Sequence, residues 1–432
     1  MGYTLPLELT LFVISNIEVE DQESLRSFSR TSSVFLEPCQ RILFSHIHLR
    51  TFQFASSQGA TPGARFLDLL LSSPRLIPYV KRITISDFDN PWASWLPNDL
   101  KLVEALDKLD LKKIETFDLK RNYRAKWVLL SQPVRRVIVE ICQSPALVDL
   151  SLSWAPLALV SVCGPSLKRL RAHDCATGAY AADITPIRRS MDISLENLQL
   201  YHPFDLAGVI KYLSDPSTQV RLEHVRTLHV RASVGDDYSR LPNLIQHCQS
   251  TLEVLKLEPC TDTSGFLSST CAPDSDDVTV DGVVDALRIP SCPRLTELDL
   301  EVDATTPNAS GERTCLAWTA RAIAHIPPSN SIKAIRLQLS FDLSDVPGEL
   351  NGATGTVLFS SLRSISTSIV KPGSFPHLKN LDVEIHSTNP DDDDVESIRT
   401  WIIGALAMTP ERDLLRLKAF PRTSSDVLLL SS

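Results

Sequence analysis

Leu147-Val148-Asp149-Leu150-Ser151-Leu152 and, twenty residues later, Leu167-Lys168-Arg169-Leu170-Arg171-Ala172 carry one phrase. It reads apolar, two spacers, apolar, one spacer, apolar. The last three positions alternate with the period of a strand that buries one face. About eleven copies run along the chain. Val80-Ile83-Ile85 and Ile114-Phe117-Leu119 precede this pair. Leu195-Leu198-Leu200, Val225-Leu228-Val230, Leu252-Leu255-Leu257 and Leu295-Leu298-Leu300 follow it, then Ile332-Ile335-Leu337, Leu378-Leu381-Val383 and Leu414-Leu417-Ala419. The single spacer should face solvent, and it is polar in every copy: Thr84, Asp118, Ser151, Arg171, Gln199, His229, Lys256, Asp299, Arg336, Asp382 and Lys418.

The stretches between phrases carry helix-like apolar periods. Phe66-Leu67-Leu70-Leu71, Val103-Leu106-Leu109, Val134-Val137-Ile138-Ile141 and Val209-Ile210-Leu213 are four of them. Leu241-Leu244-Ile245-Cys248, Val283-Val284-Leu287, Trp318-Ile323-Ile326 and Ile398-Trp401-Ile402-Leu406 continue the series. Pro133 opens its helix, where a missing N–H costs nothing. Pro74, Pro145, Pro165, Pro293 and Pro376 fall between helix and strand, where a helix must stop. Helix then strand, repeated, predicts an α/β array: a parallel strand row with helices outside, each unit touching mainly its neighbours. Copy spacing is uneven, with polar loops near 261–277, 303–311, 342–356 and 386–394. The expected fold is therefore an irregular leucine-rich-repeat-like solenoid over residues 51–432. A doubly wound α/β domain is the alternative, but its strands read as longer β-branched apolar runs.

Composition narrows the function classes. The chain has 432 residues, 43% hydrophobic and 22% charged, as in a soluble globular protein. No apolar run approaches the ~18 residues of a membrane span. No basic region followed by an apolar stretch marks a signal peptide. Nine scattered cysteines predict buried free thiols in a reducing compartment, cytoplasm or nucleus. The net charge of −9 is concentrated between Asp262 and Glu312, with a second acidic run at Asp391–Asp394. Overall acidity argues against a nucleic-acid partner. A local basic cluster spans Lys112, Lys113, Lys120, Arg121, Arg124 and Lys126. There is no phosphate-cradling glycine loop, nucleophile elbow or paired metal-ligand histidines, so no catalytic residue, cofactor or metal is expected.

The first fifty residues do not share the phrase. Leu5-Pro6-Leu7-Glu8-Leu9 opens a helix whose apolar face carries Leu9, Phe12, Val13, Ile14 and Ile17. Asp21 caps a second helix with Leu25 and Phe28, and a third apolar stretch runs from Val34 to Leu49. Three short helices make too small a core to stand comfortably alone. The LPLEL opening, the SLRSFSRTSSVFLEPCQ middle and the RILFSHIHL ending resemble an F-box. The whole chain resembles the F-box and leucine-rich-repeat-like proteins abundant in mushroom-forming fungi. Where that family often has Val-Cys-Arg, this chain has Thr31-Ser32-Ser33, and Phe35 stands where the family has Trp. The resemblance implies that residues 1–50 dock the Skp-type adaptor of an SCF ubiquitin ligase through Leu5, Pro6, Leu9, Ile14 and Leu25. It implies that the array binds a target protein without doing chemistry. A scaffold without adaptor binding and an unrecognised enzyme are the other readings.

Target binding is expected on the outward face of the strand row. The positions between and just after the last two apolar residues of three successive copies give Arg171 and His173, Gln199 and Tyr201, His229 and Arg231. Adjacent strands stand about 4.8 Å apart, so these side chains are expected to form one cationic and aromatic patch. Such a patch suits a target with acidic or phosphorylated residues.

Overall fold

The computed structural model describes residues 9, 12–14, 16–17, 21–51, 60–87, 94–121, 127–175, 177, 184, 192–201, 206–233, 236–260, 292–303, 315–341, 353–371, 373–387, 404 and 415–421. They fall into two compact units, Met1–Ile193 with Ser217–Gln219, and Ser194–Pro216 with Val220–Ser432. Each is α/β, built on a row of parallel strands with helices between them.

In the first unit the strands are β1 (His46–Arg50), β2 (Arg82–Asp87), β3 (Thr116–Arg121), β4 (Asp149–Ser153) and β5 (Arg169–His173), paired in sequence order. In the second unit β7 (Asn197–Tyr201), β9 (Thr227–Ser233), β10 (Val254–Cys260), β11 (Glu297–Asp303), β12 (Ala334–Phe341), β13 (Asn380–Ser387) and β14 (Leu415–Pro421) do the same. Two strands of two residues, β6 (Ile193–Ser194) and β8 (Val220–Arg221), belong to neither row. Each of the eleven phrases read from the sequence ends in one of the row strands, in the expected register. Leu150, Leu152, Leu198, Leu200, Leu255 and Leu257 are fully buried. Burying each such side chain contributes roughly 1.5–3 kcal/mol.

One backbone device recurs at most of the phrases. The carbonyl of its second residue accepts two N–H groups from the following phrase. Val148 accepts from Lys168 and Arg169 at 2.9 and 3.0 Å, and Glu253 from Thr296 and Glu297 at 2.9 and 3.2 Å. Ser45, Lys81 and Glu115 act likewise in the first unit, and Glu196, Arg226, Thr296 and Lys333 in the second. A second device precedes the strand. The N–H of the first apolar residue donates to the residue three back, as in Leu147 to Ser144, Leu167 to Gly164, Leu295 to Cys292 and Leu378 to Phe375. In these four turns Pro145, Pro165, Pro293 and Pro376 hold the second position, where a fixed φ suits a type I turn. The prolines therefore aim the chain into the strand as well as stopping the helix.

The helices are α1 (Gln22–Thr31), α2 (Ser33–Leu43), α3 (Pro62–Ser72), α4 (Leu100–Leu106), α5 (Gln132–Cys142), α6 (Leu206–Ser214), α7 (Asp236–Cys248), α8 (Cys315–Ala324) and α9 (Ala353–Val370). The apolar periods at Phe66, Val103, Val134 and Val209 bury as expected. Three differences stand out. The sheet begins at His46, inside the segment assigned to the N-terminal module, because Ile47 and Leu49 alternate with exposed His46 and His48. Between β4 and β5 the chain is too short for an α-helix, and a 3-10 turn at Leu157–Val162 takes its place. Helix α9 begins inside the expected loop 342–356. Its Ser- and Thr-rich sequence hid Leu362, Ile365 and Ile369, which are buried. The apolar periods at 283–287 and 398–406, the loop at 261–277 and the run Asp391–Asp394 lie wholly or largely outside the described residues. Among the described residues no helix is long and apolar enough to cross a membrane. Cys39, Cys142, Cys163, Cys175, Cys248, Cys292 and Cys315 are free and buried.

Adjacent outer helices of the first unit are tied by one carboxylate. Asp99 caps α4 by accepting from Leu102 N–H at 3.0 Å, and its other oxygen accepts from Gly63 N–H in α3 at 2.9 Å. Gly63 permits this approach: a Cβ there would lie 2.4 Å from the Leu102 nitrogen and 2.5 Å from the Asp99 carboxylate. Gly63→Ala should therefore lower stability by about 1–3 kcal/mol through forced displacement of α4. Gly164→Ala, where a Cβ meets its nearest neighbour at 3.6 Å, should change it little. Urea denaturation of both variants checks the difference.

Candidate functional site

The N-terminal helices are set by local capping. Asp21 accepts from Ser24 N–H at 3.1 Å at the start of α1, and Ser32 accepts from Val34 N–H at the start of α2. Their core is small: Ile14, Leu25 and Cys39 are buried, with Ile17, Phe28, Phe35, Ile42 and Leu43 against them. Phe28 and Phe35 meet edge to face at 6.5 Å. This corrects part of the expected adaptor face. Ile14 and Leu25 are 1% and 0% exposed, so they hold the module together and cannot be presented to a partner. Leu5 and Pro6 lie outside the described residues. Leu9 is 51% exposed, and Phe12, Val13 and Val34 are exposed with it. Leu9, Phe12 and Val13 follow helical i, i+3, i+4 spacing, so they share one side. The sequence shows one broad apolar face there; packing divides it into a buried and an exposed part.

The six residues expected to bind a target divide between the units. In the first, Arg171 donates to Asp149 at 3.3 Å, and Asp149 also accepts from Arg169 at 3.0 Å. His173 Nδ1 lies 3.2 Å from the carboxylate of Asp174. Arg171 and His173 remain partly exposed.

In the second unit Gln199, Tyr201, His229 and Arg231 stand on β7 and β9 in direct register, Gln199 beside His229 and Tyr201 beside Arg231. They are joined by bonds rather than left open. The Tyr201 hydroxyl lies 3.1 Å from Gln199 Oε1 and 3.0 Å from His229 Nδ1, and the Tyr201 and His229 rings meet edge to face at 4.8 Å. His229 Nε2 contacts Glu258 Oε1 at 2.5 Å. Lys256 Nζ reaches Glu258 at 2.9 Å and Glu301 at 3.1 Å, and Arg231 Nε lies 3.7 Å from Glu258. His229 is only 7% exposed.

This corrects the expectation of a purely cationic patch here: the carboxylates of Glu258 and Glu301 stand among His229, Arg231 and Lys256 and offset much of their charge. Sequence reasoning stopped one copy early. The same phase carried to the next phrase gives Lys256 and Glu258, the missing partners. The pattern continues outward. Lys256, Asp299, Arg336 and Asp382 are consecutive register partners of alternating sign. Arg336 lies 3.5 Å from Asp299 and 3.9 Å from Glu384.

Burial by itself would raise the pKa of Glu258. The hydrogen bond and charge of His229, then the ammonium of Lys256, outweigh it and hold the carboxyl well below the usual range. Burial would lower the pKa of Lys256, but Glu258 and Glu301 push it up to about 12. Among the described residues no three His, Cys, Asp or Glu side chains are grouped to hold a metal ion. No family model matches the chain, and no curated protein sequence is significantly similar to it.

These shifts set a pH dependence. A carboxylate depressed in the folded state stabilises the fold above its unfolded pKa of about 4.3, and that contribution is lost as pH falls toward the folded value. An ammonium raised in the folded state stabilises below about 10.4 and is lost as pH rises through about 12. Glu258→Gln should therefore lower the melting temperature at pH 7 and flatten its decline below pH ~4.3. Thermal melts of wild type and variant from pH 7 to pH 2 measure both effects, and parallel curves would refute the assignment.

Proposed function

We propose that this chain is the target-recognition subunit of an SCF-type ubiquitin ligase. In this reading the N-terminal helices form an F-box-like module that docks a Skp-type adaptor. The strand-and-helix repeats form an irregular leucine-rich-repeat-like solenoid that holds a target protein in the cytoplasm or nucleus. The receptor does no chemistry; tethering raises the effective concentration of the target beside the ligase.

The observation that carries the reading is the division of apolar side chains in the N-terminal helices. Ile14, Leu25 and Cys39 supply a core, while Leu9, Phe12, Val13 and Val34 stay exposed on a chain segment of modest size. Large apolar side chains held outward on one side of a helix, as Leu9, Phe12 and Val13 are, mark an interaction surface more often than a solvated one. The LPLEL opening and RILF ending give that surface its candidate partner. Within each unit the repeated phrase provides an outward face of polar side chains, the kind of surface that binds macromolecules.

Central apolar anchors in such interfaces can each carry more than ~2 kcal/mol of binding. Leu9→Asp combined with Phe12→Asp should abolish retention of the adaptor in a pull-down and leave the circular dichroism spectrum unchanged. If the wild-type chain itself fails to retain the adaptor, a non-catalytic scaffold replaces this reading.

A further inference from the structure

Two thiols meet where consecutive repeats of the first unit touch. Cys142 ends α5, and Cys163 follows the 3-10 turn Leu157–Val162. Each stands just before the turn that leads into a strand, Ser144 to Leu147 into β4 and Gly164 to Leu167 into β5. The two strands pair in register. The turns before them stack: a Cβ on Gly164 would meet the Ser144 carbonyl oxygen at 3.6 Å and the Pro145 Cα at 3.7 Å. Cys142 and Cys163 are thereby brought side by side, one repeat apart. Both are free and fully buried.

Hydrogen bonds join them. Cys163 Sγ donates to the Leu159 carbonyl at 3.2 Å. Cys142 turns to the Cys163 sulfur, and that hydrogen bond, then burial, raises its pKa well above the usual thiol value. Cys248, four residues before its phrase as Cys163 is, behaves otherwise. It donates to the Leu244 and Ile245 carbonyls of its own helix, at 3.5 and 3.4 Å. Before β2 the same place is held by buried Leu76, so packing alone does not require sulfur there.

The surroundings decide what the pair can do. Ile138, Ile141, Leu147, Leu159 and Leu167, its neighbours along the chain, are fully buried. A metal ion held by two thiolates would place net charge in this apolar site. A disulfide places none. Consecutive strands stand about 4.8 Å apart, within the roughly 4.4–6.8 Å between Cα atoms that a disulfide spans.

We propose that Cys142 and Cys163 are a peroxide-sensitive pair that closes into a disulfide and fastens two consecutive repeats together. One thiol gives up its proton and its sulfur attacks the O–O bond of hydrogen peroxide, which leaves a sulfenic acid and releases a water. The second sulfur then attacks the sulfenic sulfur, the S–S bond forms and a second water leaves. Two thiols and one peroxide thus give one disulfide and two waters; the sulfurs lose two electrons and the peroxide gains them. Burial disfavours the attacking thiolate, so the bond forms slowly and answers sustained exposure. Peroxide is small and uncharged and can enter such a site, whereas oxidised glutathione is large and charged. In a reducing compartment the bond is transient, as in a sensor. The proposal goes beyond the adaptor and target reading and does not depend on it.

The test uses the full-length chain, held for hours in millimolar hydrogen peroxide and then denatured in excess alkylating agent. Chymotrypsin can cut between the two cysteines, after Trp154. Mass spectrometry should recover the peptides carrying Cys142 and Cys163 joined, and dithiothreitol should part them. The oxidised chain should melt about 5 °C higher than the reduced one. Oxidised glutathione at the same concentration should leave both cysteines alkylated. Cys142→Val, close in size, should lose the melting shift, and Cys248→Val should keep both the shift and the joined peptides. Full alkylation of both thiols after peroxide, either thiol joined to a different cysteine, or the same melting shift in a folded Cys142→Val chain would each overturn the proposal. Mapping of the wild-type chain decides the matter even if a variant fails to fold.

Discussion

In most phrases a single carbonyl accepts two N–H groups from the next, at 2.8 to 3.2 Å, and the rest of the structure depends on that doubled rung. It allows no slip between neighbours, because a shift of one residue would turn every apolar side chain to water. Like positions therefore stand beside like positions. Leu150 pairs with Leu170, Leu228 with Leu255, Leu298 with Ile335. The inward columns become a continuous apolar seam within each unit, and the helices and 3-10 turns between strands cover it.

The same rung organises charge. Because outward residues also align, the identity of one spacer fixes what its neighbour strand meets about 5 Å away. Burial and low local dielectric then decide which meetings matter. In the second unit they produce the network around Glu258, where His229, Lys256 and Arg231 converge on one carboxylate. In the first unit the alignment instead leaves cations alternating with hydroxyls along one edge. One backbone rule thus gives two faces of different chemistry, and only the spacers differ.

The N-terminal helices follow another logic. They have no ladder to enforce register, and their stability rests on a few buried side chains and on the caps at Asp21 and Ser32. A core of that size cannot cover every apolar residue the helices carry. What is left outside, at Leu9, Phe12, Val13 and Val34, is the surface available to a partner.

By itself the sequence determined the eleven strands that end its phrases, their order of appearance and their inward faces, though not β1, because a two-residue period with polar spacers leaves only one register that buries leucine. The prolines of the turns were equally legible, since proline restricts its own φ whatever surrounds it. Helix α9 was not legible, because its Ser and Thr residues dilute the apolar period that packing nonetheless uses. Tertiary structure alone decided that Ile14 and Leu25 are core, that Glu258 contacts both Arg231 and His229, and that Arg50, Lys120 and His173 share a row. These facts depend on side chains tens of residues apart in sequence. The pairing of strands, not any local pattern, brings such residues within a few ångströms of each other.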